Sequence, residues 1–170
     1  MERRIEETYI TEALGFPIII KNVELRRFRD EWVPQIDWSH LQEMVLLAMA
    51  QKPVPLSGDE VRFVRHYMGM TLKEFAHHCG LKSHQAVMRW EKRGDNPTGM
   101  RKSTEIVLRI RILEALPDEI WERIDAQSDN FQEHLSHLMS EISSFEQDHR
   151  SVPIELLAAQ DDSELKLHGQ

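Results

Sequence analysis

The sequence contains one cysteine, Cys79, among 170 residues. A lone cysteine cannot form a disulfide within the chain, and it cannot supply the paired thiolates of a cysteine-rich zinc site. No run of about 18 apolar residues is present, so we expect no membrane-spanning helix and no membrane partner. The first residues are charged and no apolar stretch of the signal-peptide type follows them, so we expect a cytoplasmic protein.

A net positive charge is also absent: 29 acidic residues outnumber 21 Lys and Arg, and the net charge is −8. Taken alone, this value argues against nucleic acid as a partner. The distribution reverses that argument: between Ser57 and Lys102 nine Lys/Arg face five acidic residues, a local balance of +4, while the remainder carries −12. A basic island in an acidic chain is typical of a local phosphate-binding surface.

Catalytic patterns are absent as well. We find no Ser/His/Asp order, no nucleophilic cysteine with a base, no glycine-rich phosphate loop and no carboxylate pair on a structured scaffold. His77, His78 and Cys79 are adjacent, but neighbouring side chains on a helix point about 100° apart and cannot converge on one ion. We therefore expect that the protein is not an enzyme and that it binds no cofactor and no metal ion.

An α+β segment is predicted over residues 1–52. β-branched residues at 16–25 indicate a strand, and residues 32–36 indicate a second short strand at a sheet edge, since Pro34 cannot donate a ladder hydrogen bond. Asp37 is a suitable N-cap for a helix over Trp38–Gln51. Pro53 and Pro55 end that helix and predict a stiff linker.

Residues 56–116 predict a compact helical module. Ser57 begins a first helix, and Thr71 with Glu74 forms the capping box of a short second helix. Ser83 caps a third helix over 84–92, and a fourth follows from Met100. Two short helices joined by a tight turn at 80–82 predict a helix-turn-helix.

A long helix is predicted over residues 117–150, because its apolar residues recur at spacings close to a heptad. Its partner helix could belong to the same chain or to a second subunit, and we favour a homodimer. Residues 151–170 are predicted to be a flexible tail. The dimerisation residues expected on the long helix are Trp121, Ile124, Phe131, Leu135, Leu138, Ile142 and Phe145.

The predicted fold class is therefore mainly α. We expect a five-helix type of helix-turn-helix bundle, with a small β-containing N-terminal segment and the long C-terminal helix.

The third helix of the module carries the candidate readers of DNA. If Val87 and Trp90 face the core, the residues left facing outward are His84, Gln85, Met88, Arg89 and Lys92. Glutamine and arginine make bidentate contacts with adenine and guanine in the major groove. We expect base contacts from His84, Gln85, Met88 and Arg89, and phosphate contacts from Thr71, Lys73, Ser83, Lys92 and Arg93.

The stretch from Leu56-Ser-Gly-Asp-Glu to Met88-Arg-Trp-Glu-Lys resembles the XRE-type (Cro/C1-like) helix-turn-helix family. Its layout is similar to that of the MqsA/YgiT-type antitoxins and regulators. The resemblance implies that His84, Gln85 and Arg89 reach base edges, and that Arg65 and Glu91 form a structural salt bridge. Two features depart from these families: Leu72 stands where glutamine is usual, and the paired zinc-binding cysteines are missing.

We therefore predict a sequence-specific transcriptional regulator, a repressor that binds double-stranded DNA as a dimer on a near-palindromic operator in the nucleoid. An alternative is an antitoxin that neutralises a toxin protein and autoregulates its operon. A third is an adaptor whose helix-turn-helix no longer binds DNA.

Overall fold

The computed structural model describes residues 2–125, 136, 140, 152–158 and 165–167. The chain forms two compact units. The first unit comprises Met1–Ala48 and Pro153–Gln170, and the second comprises Met49–Val152. The boundary falls inside the first helix rather than at the predicted linker.

The first unit is built on a five-stranded sheet. Strands β1 (Arg3–Thr11), β2 (Ile18–Phe28) and β3 (Glu31–Pro34) are antiparallel neighbours, whereas β4 (Ile154–Ala158) is parallel to β2 and β5 (Leu165–Leu167) is antiparallel to β4. The prediction of a mainly α fold is wrong, because this sheet makes the chain a mixture of helix and sheet. The N-terminal β segment is larger than its sequence pattern suggested.

Strand β2 lies at the centre of the sheet. Its buried side chains are Ile18, Ile20, Val23 and Leu25, so the alternation between faces shifts by one residue near Asn22. Asn22 has a left-handed backbone with φ 59°, a conformation that asparagine tolerates better than most residues. At Lys21 and Asn22 the side chains therefore change face within one long strand.

Strand β4 corrects the prediction of a flexible tail over 151–170. Ile154 pairs with Ile18 and Leu156 with Ile20, and both residues of β4 are buried, at 5% and 0% exposure. The tail prediction is wrong for residues 154–158 and 165–167, which are strands of the sheet. The sheet of the first unit therefore includes β4 and β5, which lie outside the predicted 1–52 segment and near the C-terminal end of the sequence.

Helix α1 spans Trp38–Gln51, the range predicted from the sequence. The Asp37 carboxylate accepts hydrogen bonds from the backbone N–H groups of Ser39 and His40, at 3.0 and 3.2 Å. These bonds satisfy donors that the first helical turn leaves without a partner.

The second unit contains five helices among the described residues: α2 (Gly58–Tyr67), α3 (Leu72–His78), α4 (Gln85–Glu91), α5 (Lys102–Glu114) and α6 (Asp118–Asp125). Ser57 with Glu60, and Thr71 with Glu74, form the two capping boxes at the starts of α2 and α3. Gly69 and Gly80 follow α2 and α3 with φ 65° and 73°, the left-handed turn that lets a helix end abruptly.

The first part of the helix predicted over 117–150 corresponds to the observed α6, which contains Trp121 and Ile124. The backbone is helical at Ser136 and Ser140. The remaining predicted dimerisation residues lie outside the described part of the chain: Phe131, Leu135, Leu138, Ile142 and Phe145. Where the chain is described, no helix is long and apolar enough to cross a membrane.

Candidate nucleic-acid interface

Helix α4 presents one face to the core and the other to solvent. Val87 and Trp90 are buried, at 0% and 8% exposure, and α4 packs against both α2 and α3. Gln85, Arg89 and Lys92 recur at helical spacing on the opposite side and are exposed, since residues four and three apart share a helix face. His84 is exposed and Met88 is half-buried. Four of the five residues expected to face outward are therefore exposed, and Met88 is the exception.

The turn before α4 sets the direction of this helix. The N–H of Leu81 donates to the Ala76 carbonyl at 2.8 Å, and that of Gly80 donates to the His77 carbonyl at 2.9 Å. This pattern is a Schellman motif, which needs a left-handed residue such as Gly80. Ser83 lies just before His84, the N-cap residue of α4. The Ser83 hydroxyl accepts from the Gln85 N–H at 3.2 Å, so it satisfies a donor of the first turn while remaining exposed.

The end of α4 is held by arginines of α2. Arg65 binds the carboxylate of Glu91 in a bidentate pair, at 2.6 and 3.1 Å, and donates to the Met70 carbonyl at 3.0 Å. Arg62 donates to the Glu91 carbonyl at 2.8 Å. The expected Arg65–Glu91 pair is thus present, and because its side chains are only 13% and 10% exposed, water screens it weakly.

The loop after α4 packs against the start of α2. The N–H of Gly58 donates to the Asn96 carbonyl and that of Asp59 to the Gly94 carbonyl, at 3.1 and 2.8 Å. A Cβ at Gly58 would lie 2.3 Å from the Trp90 carbonyl oxygen, which is backbone and cannot swing aside. Glycine is therefore required here by the close approach of α2 to the end of α4.

Exposed cations surround α4. Arg89, Lys73, Lys92 and Lys82 are exposed, and within the described residues none of them makes an ion pair. Arg93 is exposed and donates from Nε to the Pro97 carbonyl at 3.1 Å. These side chains keep charge available for an anionic partner, in contrast to the paired Arg62 and Arg65.

Lys82 was given no site role from the sequence. It lies in the turn directly before the cap of α4, a position at which a basic residue can reach a phosphate beside the helix start. The sequence feature that could have identified Lys82 is its position in the turn between Gly80 and Ser83.

Thr71 does not suit its expected role in phosphate contact. Its hydroxyl donates to the Glu74 carboxylate at 2.7 Å, and its N–H donates to the same oxygen at 2.8 Å. These two hydrogen bonds hold the pKa of Glu74 below its usual value. A negative charge therefore persists beside Thr71 at neutral pH and would repel a phosphate, so we assign Thr71 a capping role instead.

His77, His78 and Cys79 at the end of α3 do not form a group that could hold a metal ion. Cys79 is 5% exposed and burial raises the pKa of its thiol to about 11, so the free thiol stays protonated at neutral pH. Nowhere in the described part of the chain do three or more His, Cys, Asp or Glu residues come together in a geometry that could hold an ion.

Comparisons of the chain with models of protein families, with curated proteins and with solved structures gave no match.

Proposed function

We propose that the protein is a sequence-specific DNA-binding regulator that reads the major groove with α4. The observation that carries the proposal is the exposed row Gln85–Arg89–Lys92 on a helix whose other face is buried and whose end is held by Arg65. Such a helix offers base-reading side chains at fixed positions, which is what direct readout requires.

Charge supports the same proposal. The exposed cations around α4 without ion pairs would attract phosphate. The basic residues of the second unit that do form ion pairs are different ones: Lys52, Arg62, Arg65, Arg109 and Arg111. Phosphate contacts would fix the register of the protein on the duplex, while Gln85 and Arg89 would supply the sequence preference.

The proposed regulator is a dimer that represses from a near-palindromic operator. Two copies of α4 would occupy successive major grooves about one helical turn apart. We favour this function over a toxin-neutralising antitoxin, because the described residues offer a surface suited to DNA and no equally specific surface for a toxin.

The test begins with selection of bound sequences from random duplexes by the purified full chain. Binding of Gln85→Ala and Arg89→Ala is then measured on the selected duplex and on a random one. We expect each variant to lose ~1–3 kcal/mol on the selected duplex, which is roughly 5-fold to 150-fold in Kd, and little on the random one.

Two further variants separate readout from charge. Lys92→Ala should weaken binding to both duplexes alike and reduce the dependence of log Kd on log salt by about one. Arg27→Ala removes the same charge from the sheet unit, where Arg27 pairs with Glu2, and should leave binding unchanged. If no motif is selected, or if Gln85→Ala and Arg89→Ala bind like the unmodified chain, the proposal is wrong.

A further inference from the structure

Strand β1 lies at an edge of the sheet. It pairs along one side with β2, and none of the other described strands pairs with its second side. An edge strand presents a row of backbone donors and acceptors to any strand that can align with it.

The backbone groups that face this open edge follow from the pairing with β2. The Arg27 N–H donates to the Glu2 carbonyl at 3.0 Å, so Glu2 and Arg27 form a hydrogen-bonded pair. Such pairs alternate along an antiparallel ladder. Residues 2, 4 and 6 therefore direct their backbone groups towards β2, and Arg3, Ile5 and Glu7 direct theirs outward.

Among the two-fold antiparallel registers centred within Arg3–Glu7, one is favourable for a second copy of β1. If the two strands run antiparallel about Ile5, Arg3 lies opposite Glu7 and Arg4 lies opposite Glu6, with Ile5 facing its own copy. Opposite charges directly across an antiparallel pair are stabilising, and like charges are destabilising. Two-fold registers centred on Arg3, Arg4, Glu6 or Glu7 each place that charged residue against itself.

The side chains of this segment are accessible for such pairing. Ile5 is 60% exposed, so its side chain offers apolar surface that a facing copy of Ile5 could cover. Arg3 lies 3.5 Å from Glu24, and Arg4 lies 3.5 Å from Glu6 of its own strand. Arg3 and Arg4 nevertheless remain 61% and 51% exposed, so both can reach a facing carboxylate.

We propose that β1 is a self-association edge, at which two copies of the chain pair antiparallel over Arg3–Glu7 about Ile5 and form one continuous sheet. The occupant is a second copy because the charge pattern of the segment is complementary to itself. This inference does not rest on DNA binding, and it would survive the failure of the proposed function.

A cysteine cross-link tests the register. At the two-fold axis, facing residues of a hydrogen-bonded pair have Cα atoms about 5.5 Å apart, within the range of a disulfide. We expect Ile5→Cys to form a covalent dimer on mild oxidation of the full chain. The native Cys79 does not interfere, because it is buried.

Ile10→Cys is the matched control, since Ile10 is 62% exposed on the same strand. In the proposed register its two copies lie on the order of 30 Å apart, so it should not cross-link. Equal cross-linking of both variants, or none with Ile5→Cys, would overturn the proposal.

A charge-swap series tests the same edge without cysteine chemistry. Arg3→Glu/Arg4→Glu and Glu6→Arg/Glu7→Arg each place like charges opposite one another, and we expect self-association through β1 to weaken by roughly tenfold or more. Mixing the two variants restores every opposite-charge pair. Sedimentation should therefore show stronger association in the mixture than in either variant alone.

The mixture also guards against misfolding, since a variant that had lost its fold could not associate with its counterpart. If the two double variants self-associate as tightly as the unmodified chain, or if mixing them restores nothing, the edge does not pair with a second copy.

Discussion

Cys79 lies at the end of α3 with 5% of its surface exposed, and burial raises the pKa of its thiol to about 11. The charge of Arg111 opposes this shift and is the smaller cause. The thiolate is the reactive form of cysteine. Burial at this residue therefore removes both the access and the charge state that thiol chemistry needs.

We predict that the native thiol reacts slowly with an aromatic disulfide reagent at pH 8 and rapidly once the chain is unfolded. A chain with Cys79→Ala and an added exposed cysteine, Ser103→Cys, is the control and should react at once. Fast reaction of Cys79 in the native protein would contradict its burial.

The same shift makes stability depend on alkaline pH. The folded chain keeps the Cys79 proton to about pH 11, whereas the ordinary thiol pKa is 9.0. This contribution is therefore complete below pH 9 and is lost as the pH rises towards 11. The free energy of unfolding should fall more steeply over this range for the unmodified chain than for Cys79→Ala.

Residue roles that depend on local periodicity could be predicted from the sequence. Burial of Val87 and Trp90 on α4 leaves Gln85, Arg89 and Lys92 facing outward, whatever the rest of the molecule does. Thr71 could not be assigned in this way. The sequence predicted both a capping box and a phosphate contact for this residue, and the geometry of Glu74 shows that the hydroxyl is engaged in the cap.

At the scale of elements, the linker between α1 and α2 is held by a buried arginine of α5. Arg109 donates to the carbonyls of Ala50, Lys52 and Val54, and binds Glu105 at 2.9 Å. Glu105 in turn accepts from the Leu56 N–H at 2.8 Å. These hydrogen bonds constrain the linker in addition to its prolines.

We predict that Arg109→Met lowers the free energy of unfolding by about 3–5 kcal/mol, because it leaves the buried Glu105 carboxylate without its counter-ion. The two side chains are 1% and 3% exposed, so little water could replace the lost partner. Denaturation with urea, followed by circular dichroism, measures the change.

Arg111→Met on the same helix is the matched control. Arg111 pairs with Glu114 at 2.7 Å, but these side chains are 40% and 53% exposed, so its loss should cost about 1 kcal/mol or less. Equal losses in the two variants would show that burial of the pair does not matter.

Elements differ in how clearly the sequence marks them. The capping residues Asp37, Ser57 and Thr71 mark the starts of α1, α2 and α3, and those helices begin where predicted. Strand β1 carries four charged residues within Arg3–Glu7 and has no buried side chain. An exposed edge strand lacks the apolar alternation by which strands are recognised, so the sequence pattern does not predict β1.

At the scale of the molecule, β4 brings residues far apart in sequence into one sheet. Leu156 is fully buried opposite Ile20 of β2, whereas the next residue, Leu157, is half-buried. We predict that Leu156→Ala lowers the stability of the sheet unit by ~2–5 kcal/mol through lost apolar burial and a cavity.

Leu157→Ala is the control, since it removes the same atoms from a half-buried site and should cost clearly less. Denaturant unfolding followed by tryptophan fluorescence measures both variants, because Trp32 and Trp38 report on the sheet unit. Similar losses at the two positions would argue that β4 is not anchored through Leu156.

The sequence by itself determined the helical module, because caps, glycine ends and the 3.6-residue period act within one or two turns of chain. It also determined which side chains of α4 face outward. Only the tertiary structure decided the fold class. A strand such as Ile154–Ala158 gains its hydrogen bonds and burial from β2, more than a hundred residues away, and no local pattern encodes that partner.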